Sequence, residues 1–389
     1  MKYLTSTCAL ALMVANAGIA QAKDNNGVRV DGRGITLEQG DLELNLGGRI
    51  HVDTSIYNDP TTLQSGITDT ELRRARVELS GKFGGVLRFG ISRELAGTAK
   101  GWRNVWAAVE PVKNVEIRGG NFMVPFSIED MQSSNSMPFV ERSLASSLTP
   151  GYGLGGAVSA GGKNWSASVG YFTDPLANDN GRSPERGDGF AGRVTAAPIN
   201  SAGKVLHLAL AGEKRTFSPL EALRFSGDAG SAQAPSLMSS RTLTGLDNLT
   251  AYNAELGGTF GPLQILALST WAKIKRLTAA DVSFSGQTVQ AAWLVTGGRY
   301  RYTTKGGVIG GPDLGKKGAV EIAARYSRLD LDDATVRRGT GRALSGGANW
   351  YLNKNLRIMA DYTNSRVTFA NGNTPVNNDV FVGRFQINF

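Results

Sequence analysis

Polar and apolar positions alternate along most of this chain. In Leu42–Val52 the apolar set is Leu42, Leu44, Leu46, Ile50 and Val52, interleaved with Glu43, Asn45, Arg49 and His51. That is the period-two pattern of a strand with one apolar and one polar face. Val205–Arg215 repeats it, with Leu206, Leu208 and Leu210 opposite His207, Glu213 and Arg215, and so does Leu356–Ser365. Read in this way, the pattern predicts about sixteen strands of roughly ten residues. Their spans are 42–57, 70–83, 85–95, 102–111, 114–123, 151–160, 163–173, 189–198, 204–215, 250–260, 263–275, 287–297, 318–329, 342–352, 355–367 and 379–389. Two of these, 102–111 and 263–275, carry apolar residues on both faces.

The connections predict an alternation of their own. Gly84, Pro111-Val112-Lys113, Gly161-Gly162, Gly261-Pro262 and Asn353-Lys354 sit in short turns. Between them fall long segments at 58–69, 124–150, 174–188, 216–249, 276–286, 330–341 and 368–378. Short periplasmic turns and long outer loops characterise transmembrane barrels. The link 298–317 breaks the rule by being long at a turn position. The last strand places Phe381, Phe385, Ile387 and Phe389 on one face and Arg384, Gln386 and Asn388 on the other, with Phe389 ending the sequence. A terminal Phe on an amphipathic strand is similar to the signal read by the barrel-assembly machinery of bacterial outer membranes.

Composition sharpens the reading. Hydrophobic residues are 41% of the chain, an ordinary value for a soluble protein, because alternation averages to neutrality. Residues 1–22 read as a signal peptide, with Lys2, an apolar run from Leu4 to Ile19 and the small-x-small pattern Ala20-Gln21-Ala22. The sole cysteine, Cys8, falls inside it. Without Lys2 there are 41 basic and 33 acidic residues, a surplus that export directs toward anionic lipid or small anions rather than nucleic acid. Lipid leaves exposed backbone groups unsatisfied, so strands cross it only as a closed ring. The expected fold is therefore all-β: a closed antiparallel transmembrane β-barrel of about sixteen strands over 42–389. A short periplasmic N-terminal segment at 23–41 precedes it, and the location is the bacterial outer membrane.

A barrel of that size keeps an aqueous lumen. Parity then sends Arg49, Arg74, Arg76, Arg88, Arg118, Arg193, Arg325, Arg357 and Arg384 inward, together with Glu43, Glu78, Glu116, Glu321 and Asp361. Arg73, in the dense run Arg73-Arg74-Ala75-Arg76, is expected to face outward near the rim. Rings of basic residues suit anion pores, and the guanidinium fork matches phosphate and carboxylate oxygens. Arg74 and Arg76 are the leading candidates for contact with a permeating anion. An inward arginine beside an inward acid such as Glu78 can equally brace the wall.

The residues Gly119-Gly120-Asn121-Phe122-Met123-Val124-Pro125-Phe126-Ser127-Ile128-Glu129 open a longer pattern. It continues through Ser133-Ser134-Asn135 and Phe139-Val140-Glu141-Arg142-Ser143, with Leu72–Arg76, Glu321–Ser327 and Arg384–Phe389 elsewhere. Together and in order, over most of the chain beyond the signal, these resemble the phosphate-selective porins O and P. The resemblance implies a homotrimer of sixteen-stranded barrels, each with a loop, here 124–150, folded inward as a constriction. It also implies inward folding of 216–249 and of the link 298–317, which carries Arg299, Arg301, Lys305, Lys316 and Lys317. Ser133, Ser134, Asn135, Arg142 and Lys305 thereby join Arg74 and Arg76 as candidate pore-lining residues. Arg142 next to Glu141 is equally suited to anchoring the loop. Asn135 is a departure, since the phosphate-specific pattern places a lysine after the paired serines. The expected function is a passive anion-selective channel for phosphate or related small anions, the alternative being a weakly selective porin for small organic anions. Two isolated histidines, His51 and His207, supply neither a nucleophile–base pair nor a metal cluster, so neither enzyme chemistry, cofactor nor metal is expected. A secreted β-sandwich would share the alternation but would need neither the turn–loop rhythm nor the terminal Phe.

Overall fold

The computed structural model describes residues 26–31, 34–59, 64–180, 185–228, 230–314, 318–333, 336–369 and 374–389. The expected signal peptide, Lys316 and Lys317 lie outside the described residues. Alternation is realised as sixteen strands: β1 (Leu42–Asp59), β2 (Gln64–Phe83), β3 (Leu87–Glu94), β4 (Gly101–Val112), β5 (Val115–Met123), β6 (Tyr152–Gly161), β7 (Trp165–Thr173) and β8 (Asp188–Ser201). There follow β9 (Lys204–Thr216), β10 (Leu246–Phe260), β11 (Leu263–Arg276), β12 (Val282–Leu294), β13 (Ala319–Asp333), β14 (Val336–Tyr351), β15 (Leu356–Thr368) and β16 (Val376–Asn388). Each pairs antiparallel with the next, and β16 closes on β1 through pairs such as Phe381 with Ile56 and Asn388 with Arg49. The ring is a closed antiparallel β-barrel, and closure removes the unpaired edges that lipid would not tolerate.

The seam shows why particular residues are needed. Gly48 and Phe389 exchange backbone hydrogen bonds of 2.6 and 3.0 Å. A Cβ on Gly48 would lie 2.4 Å from the Arg76 carbonyl oxygen and 2.8 Å from the Phe389 ring. Only glycine lets the last residue close the ring there. Phe381, Phe385 and Phe389 face outward and are exposed, as are Leu208, Leu210, Tyr252 and Trp271 around the barrel.

Three expectations change. The segments 58–69, 276–286 and 330–341 are not long loops, because β1 and β2, β11 and β12, and β13 and β14 continue their alternation to within a few residues of each other. Val282 and Val336 are buried on the inward side, which holds these extensions in the sheet. Strands Asn26–Asp31 and Gly34–Gln39 form a hairpin whose second strand pairs with the start of β1, Ile35 opposite Leu46.

The barrel is uneven in height and in filling. Strands β3–β7 have 8–12 residues and β8–β16 have 13–16. Loop 124–151 between β5 and β6 is apolar for a loop, and its Phe126, Val140, Leu144 and Leu148 are buried. They join Leu223, Phe225, Leu237 and Met238 of the β9–β10 connection and inward residues such as Ile274, Phe284, Leu329 and Val382 in one core. The link between β12 and β13 adds a second cluster, where Tyr300 and Ile309 pack with Ile128, Leu266 and Leu268. This explains why 263–275 reads as apolar on both faces: one face meets the outside, and the other meets folded-in chain.

Candidate functional site

Two irregularities in the sheet build the basic side of the lumen. Between β1 and β2 the register passes from His51–Arg74 to Val52–Leu72, so Arg73 is an extra residue. Such a bulge places successive side chains on one side. Arg73 therefore turns inward, against the outward expectation, and its Nε and Nη2 donate to the Glu141 carboxylate at 2.7 and 3.2 Å. Between β3 and β4 the register passes from Ile91–Val105 to Arg93–Trp102, leaving an extra residue on β4. Arg103 lines the lumen there, its guanidinium 4.8 Å from the centre of the Tyr152 ring.

These strands, with the loops at 124–151 and 174–187, enclose a cavity of about 450 Å³. Six guanidinium groups line it, those of Arg49, Arg74, Arg76, Arg103, Arg142 and Arg186, against two carboxylates, Glu78 and Asp130. Arg49 donates to Ser134 Oγ at 2.9 Å and Ser133 Oγ at 3.4 Å, and pairs with Glu78 at 2.5 Å. Arg76 donates to Glu94 at 3.1 Å, while Arg74 lies 4.0 Å from the same carboxylate. Nε of Arg49, Arg74 and Arg103 has no hydrogen-bond partner among the described residues.

Five of the seven candidates thus converge: Arg74, Arg76, Ser133, Ser134 and Arg142 line this one cavity. Arg142 also anchors the loop on itself, donating to the carbonyl oxygens of Glu129, Asp130 and Gln132 at 2.7, 3.3 and 3.4 Å. The other two candidates lie elsewhere. Asn135 turns to the opposite side of the loop tip, where its Oδ1 is 3.2 Å from His51 Nε2. Lys305 sits on the inward link, 3.1 Å from Glu116, and shares a lower chamber of about 250 Å³ with Arg88, Arg118 and Arg193. Glu116 also accepts from Arg88 and Arg118, so this chamber's charges are extensively paired. Met123 and Met131 line both spaces.

The remaining inward arginines hold the loop. Arg325 donates to the Glu141 carbonyl oxygen at 2.8 Å, Arg357 to that of Met137 at 2.8 Å and Arg384 to that of Val140 at 3.0 Å. Asn349 reaches the Pro138 carbonyl oxygen at 2.8 Å, and Asp361 accepts the Val140 N–H at 2.6 Å. Arg384 is also fixed by a bidentate pair with Asp53, both contacts 2.6 Å. Burial pushes the Glu141 carboxyl up, but Arg73 and Arg384 outweigh it and hold it at about 2. At the other root of the loop, Glu255 accepts from the Ile128 N–H at 2.8 Å and pairs with Arg193 at 2.5 Å. His207 links Glu255 to Tyr302 of the inward link at 3.0 and 2.8 Å.

Parity sends Arg49 inward but carries no mark of its contact with Ser133 and Ser134. Arg103 and Arg186 carry no sequence signal, the first because a bulge breaks parity and the second because it lies in a loop.

Comparison with known proteins agrees with this architecture. A curated porin O from Pseudomonas aeruginosa is 24% identical over 98% of this chain and 97% of its own length. The anion-selective porin from Comamonas acidovorans superposes with a TM-score of 0.57 at 16% identity, covering 90% of this chain and all of that one. OmpT of Vibrio cholerae, an outer-membrane protein, gives 0.57 at 11% identity, covering 91% and 100%. The family model described as phosphate-selective porin O and P matches residues 44–389. The chain belongs to the phosphate-selective porin O and P family and is a porin of the bacterial outer membrane.

Proposed function

We propose that this porin is a passive anion-preferring channel in which loop 124–151 is the constriction. The observation that carries the reading is the excess of guanidinium groups over carboxylates in the cavity bounded by that loop. An anion leaving water there exchanges hydration for fixed donors, with Arg49, Arg74, Arg76 and Arg103 supplying charge and Ser133 and Ser134 neutral hydrogen bonds. It then passes Met123 and Met131 into the chamber of Arg88, Arg118, Arg193 and Lys305, where Glu116 weakens the hold and favours exit. Phosphate is the favoured solute, supported by the family's description. A second reading, a weakly selective channel for small organic anions, is favoured by the neutral Asn135 turned away from the paired serines.

Three further expectations belong to this proposal. Residues 1–22 are removed on export, Phe389 is read by the assembly machinery, and the barrel works as a homotrimer. OmpT of Vibrio cholerae, similar in fold, is described in a trimer form. The test is the zero-current potential of the reconstituted protein across a KCl gradient, followed by titration of phosphate. A potential set by chloride, with conductance falling as phosphate is added, supports the phosphate reading. Chloride selectivity without block supports the second reading, and cation selectivity contradicts both.

A further inference from the structure

The outward face of the taller wall carries a row of arginines that the pore does not use. Gln287 of β12, Arg328 of β13, Arg342 of β14, Arg366 of β15 and Asn377 of β16 are successive cross-strand partners. Their sequence neighbours Leu329, Ala343 and Val367 are buried in the lumen core, so alternation turns the three arginines outward. Neighbouring strands lie about 4.8 Å apart, so the three arginines share roughly 10 Å of sheet width.

Like charges directly opposite one another weaken a sheet. One member of the row is neutralised: Arg328 pairs with Asp330 at 2.6 Å, and Asp330 also accepts from Thr340 at 3.1 Å. Asp379, diagonal to Arg366, is engaged by Tyr362 and Asn364 at 2.8 Å each. Arg342 and Arg366 are exposed and form no ion pair among the described residues. Two outward cations on other strands do have acids, Arg93 with Asp179 at 2.9 Å and Lys273 with Asp281 at 3.7 Å.

The height of the row fits a lipid headgroup. It lies at the loop end of the barrel, Arg366 two residues before the end of β15 and Asn377 one residue after the start of β16. Below it on the same face come Tyr326, Leu344 and Tyr362, then Ile322, Ile358 and Trp350, all exposed. Tyrosine belts mark a membrane interface, with apolar residues beneath and charged groups tolerated beyond. At about 3.3 Å per residue, Arg328 stands roughly 7 Å beyond Tyr326, and Arg366 roughly 13 Å beyond Tyr362.

We propose that this row binds an outer-leaflet lipid whose headgroup carries two phosphates, its acyl chains lying against the apolar face beneath. The phosphates supply the acceptors that the exposed forks of Arg342 and Arg366 lack, and they offset the repulsion within the row. Gln287 and Asn377 flank the arginines with neutral donors suited to sugar or phosphate oxygens. A free anion would match the guanidinium groups but gain nothing from Tyr326, Leu344 and Tyr362. The inference rests on the outer-membrane location and not on which solute the pore admits.

The probe is diphosphorylated lipid A, added to the purified full-length porin in dodecyl maltoside at low ionic strength, with bound lipid counted by native mass spectrometry. Wild type should hold it at least about tenfold more tightly than its dephosphorylated form. Arg342→Gln/Arg366→Gln, which alters only exposed side chains, should lose that preference while keeping heat-modifiable gel mobility. Without lipid, its thermal midpoint should equal or exceed that of wild type, because the repulsion is gone. Lipid A should raise the midpoint of wild type and not that of this variant. Arg342→Lys/Arg366→Lys keeps the charge and should keep most of the binding, and Arg76→Gln/Arg103→Gln, altered in the lumen, should bind as wild type does. Equal binding of lipid A by wild type and Arg342→Gln/Arg366→Gln, or its displacement from wild type by an equal concentration of inorganic phosphate, would overturn the site. The zero-current potential, measured separately, tests the channel reading and stands apart from either result.

Discussion

The arginines on β1–β4 and those on β13–β16 are the same residue type pointing into the same barrel, yet they have different partners. Arg49, Arg74, Arg76 and Arg103 border open space, with hydroxyls and a minority of carboxylates as neighbours. Arg325, Arg357 and Arg384 each spend a donor on a backbone carbonyl of the loop segment 137–141. Parity decides only that a side chain points inward. Whether it meets solute or chain depends on where the loop lies, and the loop lies where the inward face is apolar. Phe284, Leu329, Met359 and Val382 draw Val140, Leu144 and Leu148 to the taller wall, leaving the cavity beside β1–β4. The hydrophobic term places the loop, and the buried arginines then fix its register by satisfying its carbonyl groups.

The comparison can be broken most severely at Arg384. Arg384→Ala leaves Asp53 buried without its bidentate partner and frees the Val140 carbonyl, which should cost about 3–5 kcal/mol. Thermal unfolding followed by gel mobility should show a clearly lower midpoint, whereas an unchanged midpoint would mean that the loop is held by packing alone. Acid should loosen the same clamp more gradually. The Glu141 carboxyl is held below its usual value, so its contribution is complete at neutral pH and is lost as the pH falls from about 4.5 toward about 2. Conductance noise that first rises inside that window would agree, and Glu141→Gln should remove the acid dependence. On the other wall, Arg103→Gln should leave the midpoint nearly unchanged and lower the anion-to-cation permeability ratio about fivefold, taking on the order of 1 kcal/mol for one charge in a partly wet lumen. The smallest effect belongs to Lys305→Ala. Lys305 is half exposed and already paired, so permeability should change by less than about twofold and stability by about 1 kcal/mol or less.

Much of this fold is legible in the sequence because a barrel strand is specified locally. Leu42 to Val52 needs no distant partner to reveal its two faces. The site is less legible, for identifiable reasons. Arg73 and Arg103 enter the lumen through bulges, and an extra residue inverts parity without leaving any mark in composition. The continuation of β11–β14 past the expected strand ends depends on Val282 and Val336 finding folded-in chain to pack against. Asn135 and Ser134 are adjacent in sequence and face different spaces, which depends on the loop's path between walls. One signal was present and informative. The two-faced apolar strand at 263–275 departs from the barrel pattern where the lumen is filled, so such a strand marks where an inward loop rests.

The most direct test measures both properties in both sets of arginines. Zero-current potential and thermal midpoint would be recorded for wild type, for Arg76→Gln/Arg103→Gln and for Arg325→Gln/Arg384→Gln. The first pair should lose anion selectivity and keep its midpoint, and the second should lose stability while its folded fraction keeps anion preference. Equal losses of selectivity in both pairs, or a stability loss confined to the first, would contradict the division of the lumen into a solute-facing and a loop-holding wall.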